Sequence, residues 1–466
     1  MEEFEVDIAV IGSGPAGQKA AIQASKLDKS VVVIEKLPEP GGNCLFSGTI
    51  PSKTLREAIL DLTRFNDLFF YGPEIERKDV SISELNFRLA RVIDDERKMV
   101  YRQFKKNDIR FVQGNARFES PNLLLIMDRE YRICYQIKAK KVLIATGSKP
   151  RNPTNIPFDN EVILDSTRLL GINNVPETML VLGGGIIGSE YASFFAALGS
   201  EVTIIDKREH ILPLLDHEIG IHLQTALTNI GLKFLGNKEP EEIKRIDNKA
   251  YVKFKDGSEI TSDVLLYALG RIANVDGLHI ENAGLSLGSH GYIPVNALFQ
   301  TAVPSIYAIG DVIGGPSLAS TSMEQGRLAS LHACGEETHY FPSFYPVGIY
   351  TIPEISCCGY TETQLRDLGY HYEVGRAYYY EIARGHITGS NVGMFKILFH
   401  AETLEILGVH IIGRSATELI HIGQIASGFR AKIDYFIDQI FNYPTYAEGY
   451  RVAALNGFNK IKLKKK

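Results

Sequence analysis

Short apolar runs alternate with helix-period stretches along the first part of the chain, the alternation of a buried parallel sheet covered by helices. Residues 5 to 11 (Glu-Val-Asp-Ile-Ala-Val-Ile) predict the first strand. Gly12-Ser-Gly14-Pro-Ala-Gly17 follows, then a helical stretch carrying Ala20, Ala21, Ala24 and Leu27. Val31-Val-Val-Ile-Glu35 is the next strand and closes on an acid. The same order returns in mid-chain. Met179 to Leu182 reads as a strand, Gly183-Gly-Gly185-Ile-Ile-Gly188 as a turn and Ser189 to Leu198 as a helix. Val202-Thr-Ile-Ile-Asp206 then places an acid at the same interval past the third glycine. Residues 141 to 147 and 264 to 270 are strands ending at Gly147 and Gly270. From Phe344 onward the pattern changes to strands at Phe395–Phe399 and Ile406–Ile412, followed by three helical stretches. Thr361-Glu-Thr-Gln364 carries the reciprocal capping pattern that starts a short helix.

Each glycine turn has a chemistry. Gly12 makes the tight turn, Gly14 lets backbone approach a pyrophosphate, and Gly17 permits close helix–strand packing. The helix N-terminus offers unpaired N–H groups to the phosphates, and Glu35 can accept from a ribose hydroxyl. Gly183, Gly185, Gly188 and Asp206 repeat these roles. Two dinucleotide sites in one chain imply one carrier held permanently and one that exchanges. That combination points to a flavoenzyme using a nicotinamide. Asp206 favours the free 2′-hydroxyl of NAD, because an acid repels a 2′-phosphate. Lys207 and Arg208 follow directly, and either neutralise that phosphate or form an ordinary solvated turn.

Composition narrows the setting. At roughly 100 to 200 residues per domain, 466 residues predict two to four domains. The net charge of −5 gives no electrostatic reason to expect a nucleic-acid or membrane partner. No apolar run is long enough for a membrane span, and the acidic start Met1-Glu-Glu-Phe-Glu5 is unlike a secretory leader, so a cytoplasmic protein is expected. Five cysteines are too few and too irregular for a disulfide scaffold and lack zinc spacing, so no metal is expected. If extended, Cys357 and Cys358 point to opposite faces. The five lysines of 460 to 466 read as a frayed, solvated tail.

Thr301-Ala-Val-Pro-Ser-Ile-Tyr-Ala-Ile-Gly310-Asp311 resembles the second FAD-binding motif of flavoprotein disulfide reductases. With the two glycine turns, it makes the chain resemble the pyridine nucleotide–disulfide oxidoreductases from residue 5 to about 457. The resemblance implies an α/β fold of two Rossmann-like dinucleotide-binding domains, for FAD and NAD(P), plus a C-terminal α+β dimerisation domain. The implied boundaries are 1–150 with 276–345 for FAD, 151–275 for NAD(P), and 346–466 for dimerisation, giving a homodimer or higher homo-oligomer. It also implies that Asp311 bonds the ribityl chain of the flavin. Lys53 would sit near flavin N5, paired with Glu190.

The departures from the family pattern decide the expected reaction. The family's active-site segment is C-x-x-x-x-C followed by I-P-S-K. Here Cys44 matches the first cysteine and Lys53 the lysine, but Thr49 takes the second cysteine's position, so no internal disulfide can form there. The family's acid–base histidine is replaced by Tyr443, while the following glutamate remains as Glu448. A phenol is a poor base at neutral pH. Both missing groups serve only disulfide reduction. The runs Ser47–Lys53, Gly348–Ile355, Ile420–Gln424, Phe441–Thr445 and Arg451–Gly457 resemble family members that move hydride between nicotinamide nucleotides. Ping-pong transfer between NADPH/NADP and NAD/NADH through the flavin is therefore the expected function. An NAD(P)H oxidase or diaphorase, and a non-catalytic nucleotide sensor, are the alternatives. Cys44 is either beside the flavin or a packed small residue.

Overall fold

The computed structural model describes residues 1–63, 81–339 and 341–464. The chain forms two compact units. One comprises Met1–Thr54, Asn86–Arg151 and Gly270–Pro342; the other comprises Leu55–Leu85, Asn152–Leu269 and Ser343–Lys466.

The first unit is built on a seven-stranded sheet. Its parallel part runs in the order Arg110–Gln113, Val31–Glu35, Glu2–Ile11, Ile133–Ile144 and Ile306–Ala308. Two antiparallel strands, Leu123–Met127 and Asn115–Ser120, extend it from the first half of Ile133–Ile144. Val31 to Glu35 are all buried, as a continuous apolar run in a two-sided sheet requires. The helix Pro15–Ser25 crosses from the first strand to the second, with proline at its first turn, where a missing N–H removes no helical bond. It packs on the helix Ala319–Ala333 so closely that a Cβ on Gly326 would lie 2.2 Å from the Ala16 carbonyl.

The second unit carries three sheets. Five parallel strands lie in the order Lys233–Leu235, Glu201–Ile205, Thr178–Leu182, Val264–Tyr267 and Ile163–Asp165. The helix Ile186–Leu198 joins two of them and is buried nearly throughout, which explains why it is apolar on every face. An antiparallel meander, Pro240–Ile246, Lys249–Phe254 and Glu259–Ser262, follows. The last sheet is antiparallel, in the order Val347–Ile349, Ile355–Gly359, Ile406–Ile412, Met394–His400 and Tyr372–Tyr378. The helices Ala416–Gly428, Asp434–Asp438 and Glu448–Lys464 come after it.

The structure corrects the reading of the lysine-rich end over residues 460 to 464, while Lys465 and Lys466 lie outside the described residues. Residues 460 to 464 continue the last helix, and Lys460 donates to the Val374 carbonyl at 2.7 Å. Ile461 packs on the core of the last sheet, and this apolar anchor between the lysines outweighs their pull into solvent.

Candidate functional site

In the first unit, the opening strand ends in a turn that only glycine can make. Gly12 has φ +105°, and a Cβ there would lie 2.4 Å from the Ala145 carbonyl oxygen. A Cβ on Gly17 would lie 2.0 Å from the Gly12 carbonyl oxygen, so helix and strand touch through backbone. Gly14, the N-cap, faces open space. Glu35 is buried, and its carboxylate ties the turn down. Its Oε2 accepts from Ser13 N at 3.0 Å and Ser13 Oγ at 2.7 Å, and its Oε1 accepts from Leu37 N at 3.0 Å. A carboxylate has about four acceptor positions, so roughly one is left for a ribose hydroxyl.

Other segments of the same unit converge on this turn. A Cβ on Gly42 would lie 2.8 Å from the Gly14 Cα, and one on Gly310 3.2 Å from the Ala16 Cβ. Asp311 accepts from Ser148 Oγ at 2.7 Å. The Ser148 carbonyl takes Asn43 Nδ2 at 2.6 Å and Arg271 Nη2 at 2.7 Å. Gly147 precedes Ser148, and Gly270 ends the run before Arg271, which pairs back on Ser148–Pro150 in a two-stranded ribbon. Sequence reasoning did not single out Ser13, Asn43, Ser148 or Arg271. Ser13 stands inside the first glycine turn and Asn43 directly before Cys44; Ser148 and Arg271 become partners only through the ribbon.

These surroundings fit an extended dinucleotide. Thr146 Oγ1 is buried without a hydrogen-bond partner among the described residues, next to Gly147, and a Cβ on Gly12 of the first glycine turn would lie 3.2 Å from Thr146 N. An unsatisfied buried hydroxyl is costly unless a ligand completes it.

Cys44 lies on the short helix Gly42–Phe46, and Thr49 begins the helix Thr49–Leu62. Burial pushes the Cys44 thiol up, opposed by hydrogen bonds from Thr49 and the Ile50 backbone and by the Lys53 charge. Lys53, on the same helix, donates to Ser52 Oγ at 3.3 Å. Among the described residues all five cysteines are free thiols.

The second unit repeats the turn. A Cβ on Gly183 would lie 2.7 Å from the Ala268 carbonyl oxygen, one on Gly188 would lie 1.9 Å from that of Gly183, and Gly185 again faces open space. Asp206 is buried and saturated. Its Oδ2 accepts from Gly184 N at 2.7 Å and Arg208 Nη2 at 2.6 Å, and its Oδ1 from Arg208 N and Nε, each at 2.9 Å. Burial pushes the Asp206 carboxyl up, but the Arg208 and Gly184 donors outweigh it and hold the group below its ordinary value. Lys207 is exposed.

Glu190, buried on the helix Ile186–Leu198, accepts from Tyr350 N at 2.9 Å. Buried Arg56 reaches the Thr351 carbonyl at 3.2 Å and Glu354 at 3.1 Å. It fixes the Gly348–Ile355 run and was not anticipated from sequence. Tyr443 is exposed, and Glu448 opens the last helix with Oε2 buried and without a hydrogen-bond partner among the described residues. Among the described residues these two make no hydrogen bond to one another.

Two glycine cradles on parallel sheets, followed by an antiparallel sheet with trailing helices, define a two-dinucleotide-fold oxidoreductase. A family model described as pyridine nucleotide-disulphide oxidoreductase matches residues 6–326, and the corresponding dimerisation domain matches 345–454. The chain belongs to the pyridine nucleotide-disulphide oxidoreductase family. It is similar to the soluble pyridine nucleotide transhydrogenase of Mycobacterium bovis (strain BCG / Pasteur 1173P2), with 44% identity over 459 residues and 98% of each chain covered. The protein of that name in Shigella boydii serotype 18 is 42% identical, with 98% of this chain and 99% of that one covered. Among solved structures, the HOCl-induced flavoprotein disulfide reductase RclA from Escherichia coli superposes with a TM-score of 0.87 at 26% identity, covering 96% of this chain and 99% of that one. LpdA from Mycobacterium tuberculosis gives a TM-score of 0.88 at 24% identity over 98% of this chain and 99% of that one, a likeness of fold. Among the described residues, no helix is long and apolar enough to cross a membrane.

Proposed function

We propose that the protein is an FAD-dependent transhydrogenase moving hydride between NADPH/NADP and NAD/NADH by a ping-pong route. What supports the reading most directly is the pairing of Cys44 with Thr49 where a disulfide reductase needs a second thiol. The relatives at 42% and 44% identity that carry the transhydrogenase name support it further.

FAD, when bound, supplies a two-electron carrier that accepts hydride from one nicotinamide and yields it to the next. The residues that would hold it are Gly12, Gly14, Gly17, Glu35, Gly147, Gly310 and Asp311, with Thr146 Oγ1 as an added donor. Gly183, Gly185, Gly188, Asp206, Lys207 and Arg208 are assigned to the exchanging nucleotide, and Gly270 to dinucleotide binding without a choice between the two. Lys53 places a cation where negative charge develops, and Glu190 holds the Tyr350 backbone in place. Hydride transfer needs no proton relay, so Tyr443 in the histidine's position carries no penalty. The FAD domain is assigned to 1–150 and 276–345, the NAD(P) domain to 151–275, and the dimerisation domain to 346–466. Phe429 and Ile440, 84% and 94% exposed, give the last domain apolar surface for a homodimer.

Initial rates with NADPH and thio-NAD, each varied against the other, test the ping-pong order. Parallel double-reciprocal lines are expected; intersecting lines would require both nucleotides bound at once and would overturn it.

A further inference from the structure

At the end of the strand Glu201–Ile205, Arg208 lies directly on Asp206. Three of the four donors on that carboxylate come from Arg208 itself: its backbone N–H, Nε and Nη2. The acid's side chain is 2% exposed and the arginine's 43%. The fourth donor, Gly184 N, belongs to the glycine turn and fixes the carboxylate whatever the guanidinium does. A saturated carboxylate cannot accept a ribose hydroxyl, since its roughly four acceptor positions are filled. A bare carboxylate would repel a 2′-phosphate. The same site is therefore open to one nucleotide with the arginine on the acid, and to the other with it off.

We propose that Arg208 is a two-position counter-ion that lets one site serve both nucleotides. Against Asp206 it covers the acid's charge and turns its remaining N–H groups to the 2′-phosphate of NADP(H). Swung into solvent, the guanidinium takes Nε and Nη2 off Asp206 and frees it for the 2′-hydroxyl of NAD(H), while the Gly184 and Arg208 backbone N–H groups keep the carboxylate in place. Its partial exposure makes release into water easy, and the fixed acid makes return specific. This rests on the proposal that 151–275 binds both nucleotides, and it adds the group that selects between them.

The test is binding to the FAD-loaded full-length protein, measured by calorimetry with NAD, NADP, 5′-AMP and 2′,5′-ADP. Arg208→Ala is expected to weaken NADP and 2′,5′-ADP about tenfold or more, while NAD and 5′-AMP bind as before or tighter. Asp206→Asn, which keeps the arginine, is expected to weaken NAD selectively. If Arg208→Ala weakens both classes equally, or leaves the NAD-to-NADP ratio unchanged while wild type binds both, the counter-ion role is wrong and the transhydrogenase reading stands. If wild type binds neither nucleotide, both fall. Melting curves of each FAD-loaded variant separate lost binding from lost folding.

Discussion

At residue 49 a hydroxyl replaces a thiol, and the consequence is a count of electrons. A disulfide between the two motif positions would store an electron pair beyond the flavin's; Cys44 with Thr49 stores none. The expected result is that all five cysteines react with a thiol reagent in air-purified, denatured protein. Thr49→Cys puts a second thiol within reach of Cys44, and in air that variant is expected to lose a pair of titratable thiols and to take up one extra electron pair in a dithionite titration. Loss of thiols in wild type would mean a disulfide forms elsewhere, and the abandonment of thiol chemistry would have to be given up. Thr49 could be read from sequence because a motif surrounds it. The saturation of Asp206 could not, because it depends on a rotamer of a residue two positions on. Nor could Ser148, whose partners Asn43, Arg271 and Asp311 are distant in sequence.

At the scale of elements, the helix His217–Asn229 is held to the last sheet by a buried ionic cluster. Lys396, fully buried on Met394–His400, bonds Asp216 at 2.7 Å, Glu218 at 2.9 Å and Glu362. The three carboxylates lie close enough together to hold a cation, and the Lys396 ammonium bonds to all of them. Asp216 caps His217–Asn229 and also accepts from Glu362 N at 3.0 Å, which opens the short helix Glu362–Asp367. The capping pattern predicted at Thr361 is present, with Gln364 returning the bond. Burial pushes Asp216 and Glu218 up, yet His410 and Lys396 beside Asp216, and Arg376 and Lys396 beside Glu218, overcome this and hold both below their ordinary values. Their contribution to stability is therefore full above the unfolded carboxylate range near pH 4 and is lost as pH falls through the depressed native values. Lys396→Met strips Asp216 and Glu362 of their ammonium, while Arg376 stays on Glu218 at 2.7 Å, and is expected to cost about 3–5 kcal/mol in urea unfolding near pH 7. The gap from wild type should narrow as the pH is lowered to about 4, where the stranded carboxylates take up protons. A pH-independent gap would mean the loss is one of packing. Nothing in the local pattern predicted this cluster, since its members come from three separate segments and pair only across strands and helices.

For the whole molecule, the repeated strand–turn–helix signature carried most of what was legible. Val31–Glu35 and Ile406–Ile412 begin and end where the pattern placed them, because apolar runs bounded by turns leave little choice. The meander of 240–262 went unread: its strands are rich in lysine and glutamate, and half of each faces solvent, so the apolar signal is diluted. The long antiparallel extension of the first sheet was missed for the related reason that Ile133–Ile144 changes partners midway. What the whole chain is proposed to do reduces to one event: hydride leaving one nicotinamide and arriving on another. An anaerobic stopped-flow experiment on the FAD-loaded protein follows it directly. NADPH is mixed first, excess nucleotide is removed, and thio-NAD is added while flavin and reduced thio-NAD are both monitored. Flavin bleaching in the first mix, then recovery with stoichiometric reduced thio-NAD at a rate no slower than turnover, is the expected result. Bleaching that persists against thio-NAD but is discharged by oxygen or a quinone would overturn transhydrogenation and leave an oxidase or diaphorase in its place.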